Sequence, residues 1–427
     1  MKSTQKRKRL AIDRTVRNTL AVIMAGGRGE RLGPLTNRQS KPAIPFGGKY
    51  RIIDFTLSNC VNSGINKICI LTQYRAHSLI RHIELGWSFS RHEFDEFIEL
   101  LPAQERADVA FSYQGTADAV FQNLDIILDH DPSHVLVLAG DHIYKMDYGL
   151  MLAMHLESRA DITVSCARTP LHEASLLGIM AVDEENRVIG FEEKPGNPMP
   201  VPGHPDAALA SMGIYLFPTE LLAEILKGDA ATSTSSHDFG RDIIPAQFRD
   251  RRIIACPFDE LRAETQNYWR DVGTIDAYYE ANLELIGVTP PLNLYDANWP
   301  IRTAPSQYPP AKFVFDDANR RGMAVDSMVS AGCIISGATV RHSLLSNNVR
   351  VNSYSTVEDS VVLPNTQIGR HCTITRAIID SDCRIPPNTV IGGRPDEDRK
   401  RFHVTSRGVT LVSAEMLRQL EKEGGLE

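Results

Sequence analysis

Three short apolar runs stand out in the first third of the chain: Thr19–Met24 (TLAVIM), Lys67–Thr72 (KICILT) and His134–Ala139 (HVLVLA). Unbroken runs of this length predict strands buried on both faces. Each run gives way to a turn with glycine or polar residues. Between them, Asp54–Asn62, Ala76–His82 and Ala117–Asp129 read as helices. Alternating strands and helices predict a mostly parallel sheet covered on both sides. Such sheets bind ligands beyond the carboxyl ends of their strands, so chemistry is expected just after each run.

Further along, Ile162–Cys166, Ile179–Val182, Val188–Glu192 and Ser211–Phe217 read as strands. Glu220–Leu226, Asp238–Phe248 and Thr274–Gly287 read as helices. Residues 289–312 hold six prolines and little periodicity, as a linker packed along the surface would. Beyond it apolar residues recur at sixes: Val329 and Ile335, Val351 and Val357, Ile368 and Ile374, Ile385 and Ile391. Small or polar residues fill the gaps. This spacing predicts a parallel β-helix with triangular coils of about 18 residues, stacked because no coil buries its own apolar face. A strand, Val409–Val412, and a helix, Ala414–Glu421, end the chain. The division expected is a basic arm (1–18), a first domain (19–288), the linker and a β-helix domain (313–427).

Composition narrows the function. The 427 residues are 42% hydrophobic and 23% charged, with 46 basic against 53 acidic side chains and a net charge of −7. That balance argues against nucleic acid as a main partner. No apolar run approaches the ~20 residues of a membrane helix. Seven scattered cysteines with no C-x-x-C pair predict reduced cytoplasmic thiols, with neither a disulfide framework nor a zinc site. The first 17 residues carry seven basic side chains and one acid, without the apolar stretch of a signal peptide. They are expected to form a solvated, partly ordered tail.

The candidate chemistry gathers at strand ends. The first strand runs into Ala25–Leu32 (AGGRGERL), with Lys41-Pro42 nearby. Adjacent glycines let backbone N–H groups approach a polyphosphate, and Arg28, Arg31 and Lys41 supply cations. The order matches neither a Walker A loop nor G-x-G-x-x-G. Asp141 ends the strand from His134 and suits Mg²⁺, a hard cation, or else a helix N-cap. Asp271, in Tyr268–Thr274 (YWRDVGT), offers the same two roles. Glu193-Lys194 ends another strand and suits a sugar hydroxyl and a sugar phosphate, or a surface ion pair. Tyr113–Asp118 (YQGTAD) opens a helix whose N-terminus can face an anion or a ribose.

Taken in order, these motifs and SKPAIPFGGKYRIIDF (40–55), LLPAQ (100–104), AGDHIYKMDY (139–148), SSHDFGRDIIP (235–245) and NWPIRT (298–303) resemble the sugar-nucleotide pyrophosphorylases. Within that family the set is most similar to the bacterial glucose-1-phosphate adenylyltransferases. The resemblance implies an α/β nucleotidyltransferase domain, Rossmann-like with a mostly parallel mixed sheet, followed by a C-terminal left-handed parallel β-helix, usually in a homotetramer. It implies that ATP and α-D-glucose 1-phosphate give ADP-glucose and diphosphate with Mg²⁺, for glycogen synthesis. Carried over by position, Gly26, Gly27, Arg31, Lys41, Gln104 and Gly115 would bind ATP, with Arg31, Lys41 and Asp141 catalytic. Tyr113, Gly178, Glu193, Lys194, Ser211, Asp238 and Trp269 would bind the glucose phosphate. Asp141 and Asp271 would hold the metal. Anionic metabolite effectors would bind near Arg38 and Arg51. Pro45 and Ser112 depart from the enterobacterial pattern, which leaves the choice of effector open. A sister enzyme for UDP-, dTDP- or GDP-sugars, a regulatory subunit of the same fold and a β-helix acyltransferase using His342 or His371 are the competing readings.

Overall fold

The computed structural model describes residues 2–88, 92–103, 112–175, 177–201, 203–260, 268–317 and 319–422. Thr19–Met24 is a central strand, parallel to Lys67–Thr72 on one side and to His134–Ala139 on the other. Phe97–Pro102 extends the parallel set. Beyond His134–Ala139 the long strand Ala207–Pro218 runs antiparallel, and it pairs in turn with Ile162–Pro170 and Gly178–Val182. Ile253–Pro257 lies parallel to Ile162–Pro170. The sheet is thus mixed and mostly parallel around the first strand. Its faces are both covered: Leu20 and Val22 join one core, Ala21 and Ile23 another. That is why these strands are apolar without alternation.

Several elements differ from the sequence reading. Ala117–Asp129 is two helices, Thr116–Phe121 and Leu124–Asp129. At the break the Asn123 amide donates to the Ala119 carbonyl (2.8 Å) and the Tyr113 hydroxyl (3.1 Å), and such local bonds compete with helix continuation. Asp238–Phe248 opens as a π-helical turn, Phe239–Ile243, before Ile244–Gln247. The basic arm is not a loose tail: Lys2–Arg17 is a helix, packed on helix Tyr148–Ser158 through Val16 and Ile12. Val16 and Ile12, four residues apart, share the packed side, while Leu10 stays exposed. No described helix is long and apolar enough to cross a membrane.

The proline-bearing segment is tied down rather than merely laid on the surface. Trp299 is buried, and its indole N–H donates to Asn59 Oδ1 (2.9 Å). Asn62 Nδ2 donates to the Pro300 carbonyl and Arg302 N to Ser58 Oγ. All three partners lie on helix Ile52–Asn62.

The β-helix has three faces of parallel strands. Ile335, Val351, Ile368 and Ile385 stack on one face, and Val340, Val357, Ile374 and Ile391 on the second. Leu345, Val362, Ile379 and Val412 stack on the third. Successive equivalents from Val351 onward are 17 residues apart, one fewer than expected. Three hexad pairs span the first and second faces. The pair Val329 and Ile335 instead turns the corner from the third face into the first. Corners are held by left-handed residues whose side chains form ladders. Asn348 donates to Asn365 (3.0 Å), and Asn365 donates to Asp382 (3.1 Å), all three with φ near +60°. Asparagine and aspartate tolerate that backbone better than most residues.

The third face meets the first domain. Leu344, Val361, Ile378 and Leu411 share a core with Tyr278, Tyr279, Ile275, Phe46 and Leu35. Tyr279 Oη donates to the Asp359 carbonyl (2.6 Å), and Thr405 Oγ1 to Asp276 (2.7 Å). Helix Ile275–Glu284 is therefore the element through which the β-helix bears on the strand end at Asp271.

Because Ile374 is fully buried in the stacked column, Ile374→Ala is expected to lower β-helix stability by about 2–5 kcal/mol. Thr373→Ala beside it, on the exposed side, should stay within about 0.5 kcal/mol. Urea unfolding of the two variants checks this, and equal effects would contradict the column.

Candidate functional site

The site is assembled at the carboxyl end of the central strands. Thr19–Met24 delivers the glycine-rich loop, and His134–Ala139 delivers Asp141. A short strand, His142–Tyr144, follows Asp141 and pairs antiparallel with Trp269–Asp271, setting Asp271 opposite His142. This pairing is what brings together two acids 130 residues apart in sequence. Neither acid is a helix cap. Asp141 leads into a strand, and helix Ile275–Glu284 is capped by Thr274, whose Oγ1 accepts from Ala277 N (3.2 Å).

Between the two carboxylates sits Lys41. Its ammonium lies 2.9 Å from Asp141 Oδ2 and 2.7 Å from Asp271 Oδ1, with only 5% of the side chain exposed. Burial alone would lower its pKa, but the two acids outweigh burial and hold it above the ordinary lysine value. The acids respond in kind. Burial raises Asp141, yet Lys41 and then His142 pull it down to about 2; Asp271 is lowered by the same neighbours against its own burial. Arg31 adds a longer contact to Asp271 Oδ2 (3.4 Å) from an exposed position.

Lys41 is fixed from behind. It opens a short 3-10 turn, Lys41–Ala43, and the Arg51 guanidinium donates to the Ala43 carbonyl (2.6 Å). Arg51 N donates to Asp54 Oδ2, and buried Asp54 also accepts from Trp87 Nε1 (3.0 Å) and pairs with His82 Nε2 (2.6 Å). The guanidinium of Arg51 is thus committed to the lysine loop. Arg38 is exposed instead, and its charge joins the Ser381 N–H in drawing against the burial that leaves the carboxyl of Asp380 raised to about 6.

The clefts divide the expected residues. Gly26, Gly27, Arg31, Lys41, Tyr113, Gly115, Asp141 and Asp238 line a cleft of about 630 Å³. Gly115, Glu193, Lys194 and Asp238 line an adjoining one of about 200 Å³. Glu193 and Lys194 are 3.2 Å apart, with Lys194 largely exposed. Gly178 pairs across the strand with Glu193, and a Cβ there would lie 2.7 Å from Glu193 Oε2, so the glycine makes room for that carboxylate. Ser211 lies apart from these linings and donates weakly to Tyr215 Oη (3.5 Å). Trp269 and Asp271 border a third cleft of about 590 Å³ that shares Arg31 with the first. Gln104 lies outside the described residues. The helix opened by Thr116 does not offer a free N-terminus: Ala117 N and Asp118 N both donate to the His237 carbonyl.

The sequence reading missed His142. Its Nε2 is 3.7 Å from Asp141 Oδ1, and its ring meets Trp269 edge-on at 5.3 Å. Its only sequence signal is adjacency to Asp141. Potential ligand atoms of Asp141, His142 and Asp271 lie within 4.8 Å of one another. Converging carboxylate oxygens already shared with a buried cation fit a hard divalent ion.

Comparison with known proteins agrees with this geometry. The nucleotidyl transferase family model matches residues 20–287, and a GlmU-like, C-terminal hexapeptide model matches residues 309–412. A glucose-1-phosphate adenylyltransferase of Paramagnetospirillum magneticum is 59% identical over 96% of this chain and 97% of its own length. Those of Methylococcus capsulatus and Dechloromonas aromatica are each 60% identical, over 96% and 97% of this chain and 96% and 94% of their own. Nucleotidyl transferases of this kind generally use a divalent metal. The chain belongs to the glucose-1-phosphate adenylyltransferases, within the nucleotidyl transferase family.

Proposed function

We propose that this chain transfers the adenylyl group of ATP to α-D-glucose 1-phosphate, forming ADP-glucose and diphosphate. The observation that carries the reading is the buried ammonium of Lys41 held by two carboxylates at the mouth of a glycine-lined cleft. In the reaction a phosphate oxygen of the sugar phosphate attacks the α-phosphorus in line. A new P–O bond forms, the α–β P–O bond breaks, and diphosphate leaves with the electron pair. The attacking oxygen is already anionic, so no general base is required. Positioning and neutralisation of charge do the catalysis.

The residues divide that work. Gly26 and Gly27 let the triphosphate lie close to backbone. Arg31, exposed at the rim, and Lys41, buried below it, face the α- and β-phosphates. Asp141 and Asp271 would hold Mg²⁺, which when bound supplies further neutralisation of the phosphates. Gln104 and Gly115 serve the nucleotide side, and Tyr113 borders the nucleotide and sugar sides. Glu193 and Asp238 suit sugar hydroxyls, and Lys194 the sugar phosphate, with Gly178, Ser211 and Trp269 completing that side. Anionic effectors suit the exposed guanidinium of Arg38, whose charge is also felt at Asp380 of the β-helix. Arg51 then acts through the Lys41 loop it holds. A homotetramer and a cytoplasmic setting belong to the same reading, the latter in keeping with seven buried cysteines that form no disulfide.

Asp141→Asn should keep the fold and lose at least about 100-fold in kcat, measured as diphosphate release. Near-normal turnover would overturn the assignment. Lys194→Ala should raise KM for the sugar phosphate about tenfold or more, with KM for ATP unchanged, since it removes a charged contact made on binding. Acid stability reports the triad independently. Asp141 and Asp271 titrate below their ordinary values of about 3.9, so their stabilisation is complete above about pH 4. It is lost as pH falls through the folded values, near 2 for Asp141. Lys41, raised above its ordinary value, keeps its contribution until strongly alkaline pH. Melting temperature against pH should therefore drop less steeply between about 4 and 2 in Asp141→Asn than in the wild type. Parallel acid limbs would contradict the coupling.

A further inference from the structure

One loop, Ser235–Arg241, is the wall shared by the two substrate clefts. Asp238 lines both, and Gly115 touches it from the nucleotide side. The contact is close: a Cβ on Gly115 would lie 2.2 Å from the His237 carbonyl oxygen and 2.4 Å from that of Ser236. That same His237 carbonyl accepts from Ala117 N (2.8 Å) and Asp118 N (3.3 Å), which start the helix after Gly115. Thr116 Oγ1 donates to Asp238 Oδ2 (3.0 Å) and accepts from Phe239 N (3.0 Å). Asp238 Oδ1 accepts from Gly240 N and Arg241 N. The nucleotide-side turn and the sugar-side acid are therefore one hydrogen-bonded piece.

Its conformation depends on His237, which has φ +55°. A residue with a side chain is uncommon there and must be held. The hold comes from Asp229. Its Oδ2 lies 2.7 Å from His237 Nδ1, and both side chains are about 15% exposed or less. Asp229 Oδ1 accepts from Ser235 Oγ (2.6 Å), which in turn accepts from His237 N (2.9 Å). Asp229 sits in the last turn of helix Thr219–Ala230, where a carboxylate opposes the helix dipole. The imidazole and the hydroxyl offset that local cost, and the acid is spent on the loop rather than on its own helix.

We propose that the Asp229–His237 pair is a positioning element that locks this wall and thereby sets the nucleotide and sugar-phosphate sites relative to each other. The inference rests on the adenylyl-transfer reading above. Neither residue lines either cleft: His237 acts through its carbonyl on the Gly115 turn and through the backbone on Asp238. Loosening the pair should weaken both sites together, whereas a residue of one site, such as Lys194, affects one substrate.

The test is steady-state kinetics of His237→Gly, Asp229→Asn and the double variant, per folded enzyme. His237→Gly keeps the left-handed backbone accessible and removes the ring; Asp229→Asn keeps the shape and removes the charge, so one serves if the other fails to fold. Each single variant should raise KM for ATP and for glucose 1-phosphate together, about tenfold each. The double variant should be no worse than either, because one interaction is removed once. Unchanged KM values, a rise confined to one substrate, or additive effects would overturn the proposal. A wild-type protein that formed no ADP-glucose would instead overturn the underlying reading.

Discussion

Two carboxylates cannot share a partly buried site at neutral pH without positive charge between them. Asp141 and Asp271 satisfy that requirement with Lys41, whose ammonium touches both. Much of the surrounding architecture serves this one constraint. The strand end at Gly140 brings in the first acid. The antiparallel pair of His142–Tyr144 and Trp269–Asp271 brings in the second. Arg51 and Asp54 tie the turn that carries the lysine to helix Ile52–Asn62. With two carboxylates to one ammonium the group keeps a net negative charge, which suits a divalent cation.

The β-helix bears on the same centre indirectly. Its third face packs on helix Ile275–Glu284, which begins just after Asp271. The charge of Arg38, in the loop before Lys41, is felt at Asp380, just after strand Ala377–Ile379 of that face. A ligand that altered this junction would act on both chain segments that flank the lysine–carboxylate group. The stacked columns of the β-helix give the junction a stiff floor, because each apolar residue is held by the coils above and below it.

On the opposite side of the cleft, the substrates are separated by backbone as much as by side chains. A side chain on Gly115 would collide with the Ser235–Arg241 loop, so the two walls meet backbone to backbone. The hydrogen bonds of Thr116 with Asp238 and Phe239 join the two walls.

Periodicity alone determined much of this protein. Apolar runs marked the central parallel strands because burial on both faces leaves no polar alternation to choose. Hexad spacing marked the β-helix because identical coils must repeat their inward residues. The resemblance carried by the ordered motifs placed the glycine loop, Lys41 and Asp141 in one site. What the sequence left level, tertiary structure decided. Asp271 stood level between helix cap and metal ligand until strand pairing set it opposite His142, next to Asp141, and Thr274 took the cap. The helix start at Thr116 read as an open anion site, but the His237 carbonyl from a loop 120 residues away occupies it. The basic arm read as a tail, and packing of Val16 and Ile12 made it a helix. The division has one physical cause. Local pattern records which side of an element is buried, while the partner of a charge or a free N–H is chosen by contacts between segments far apart in the chain.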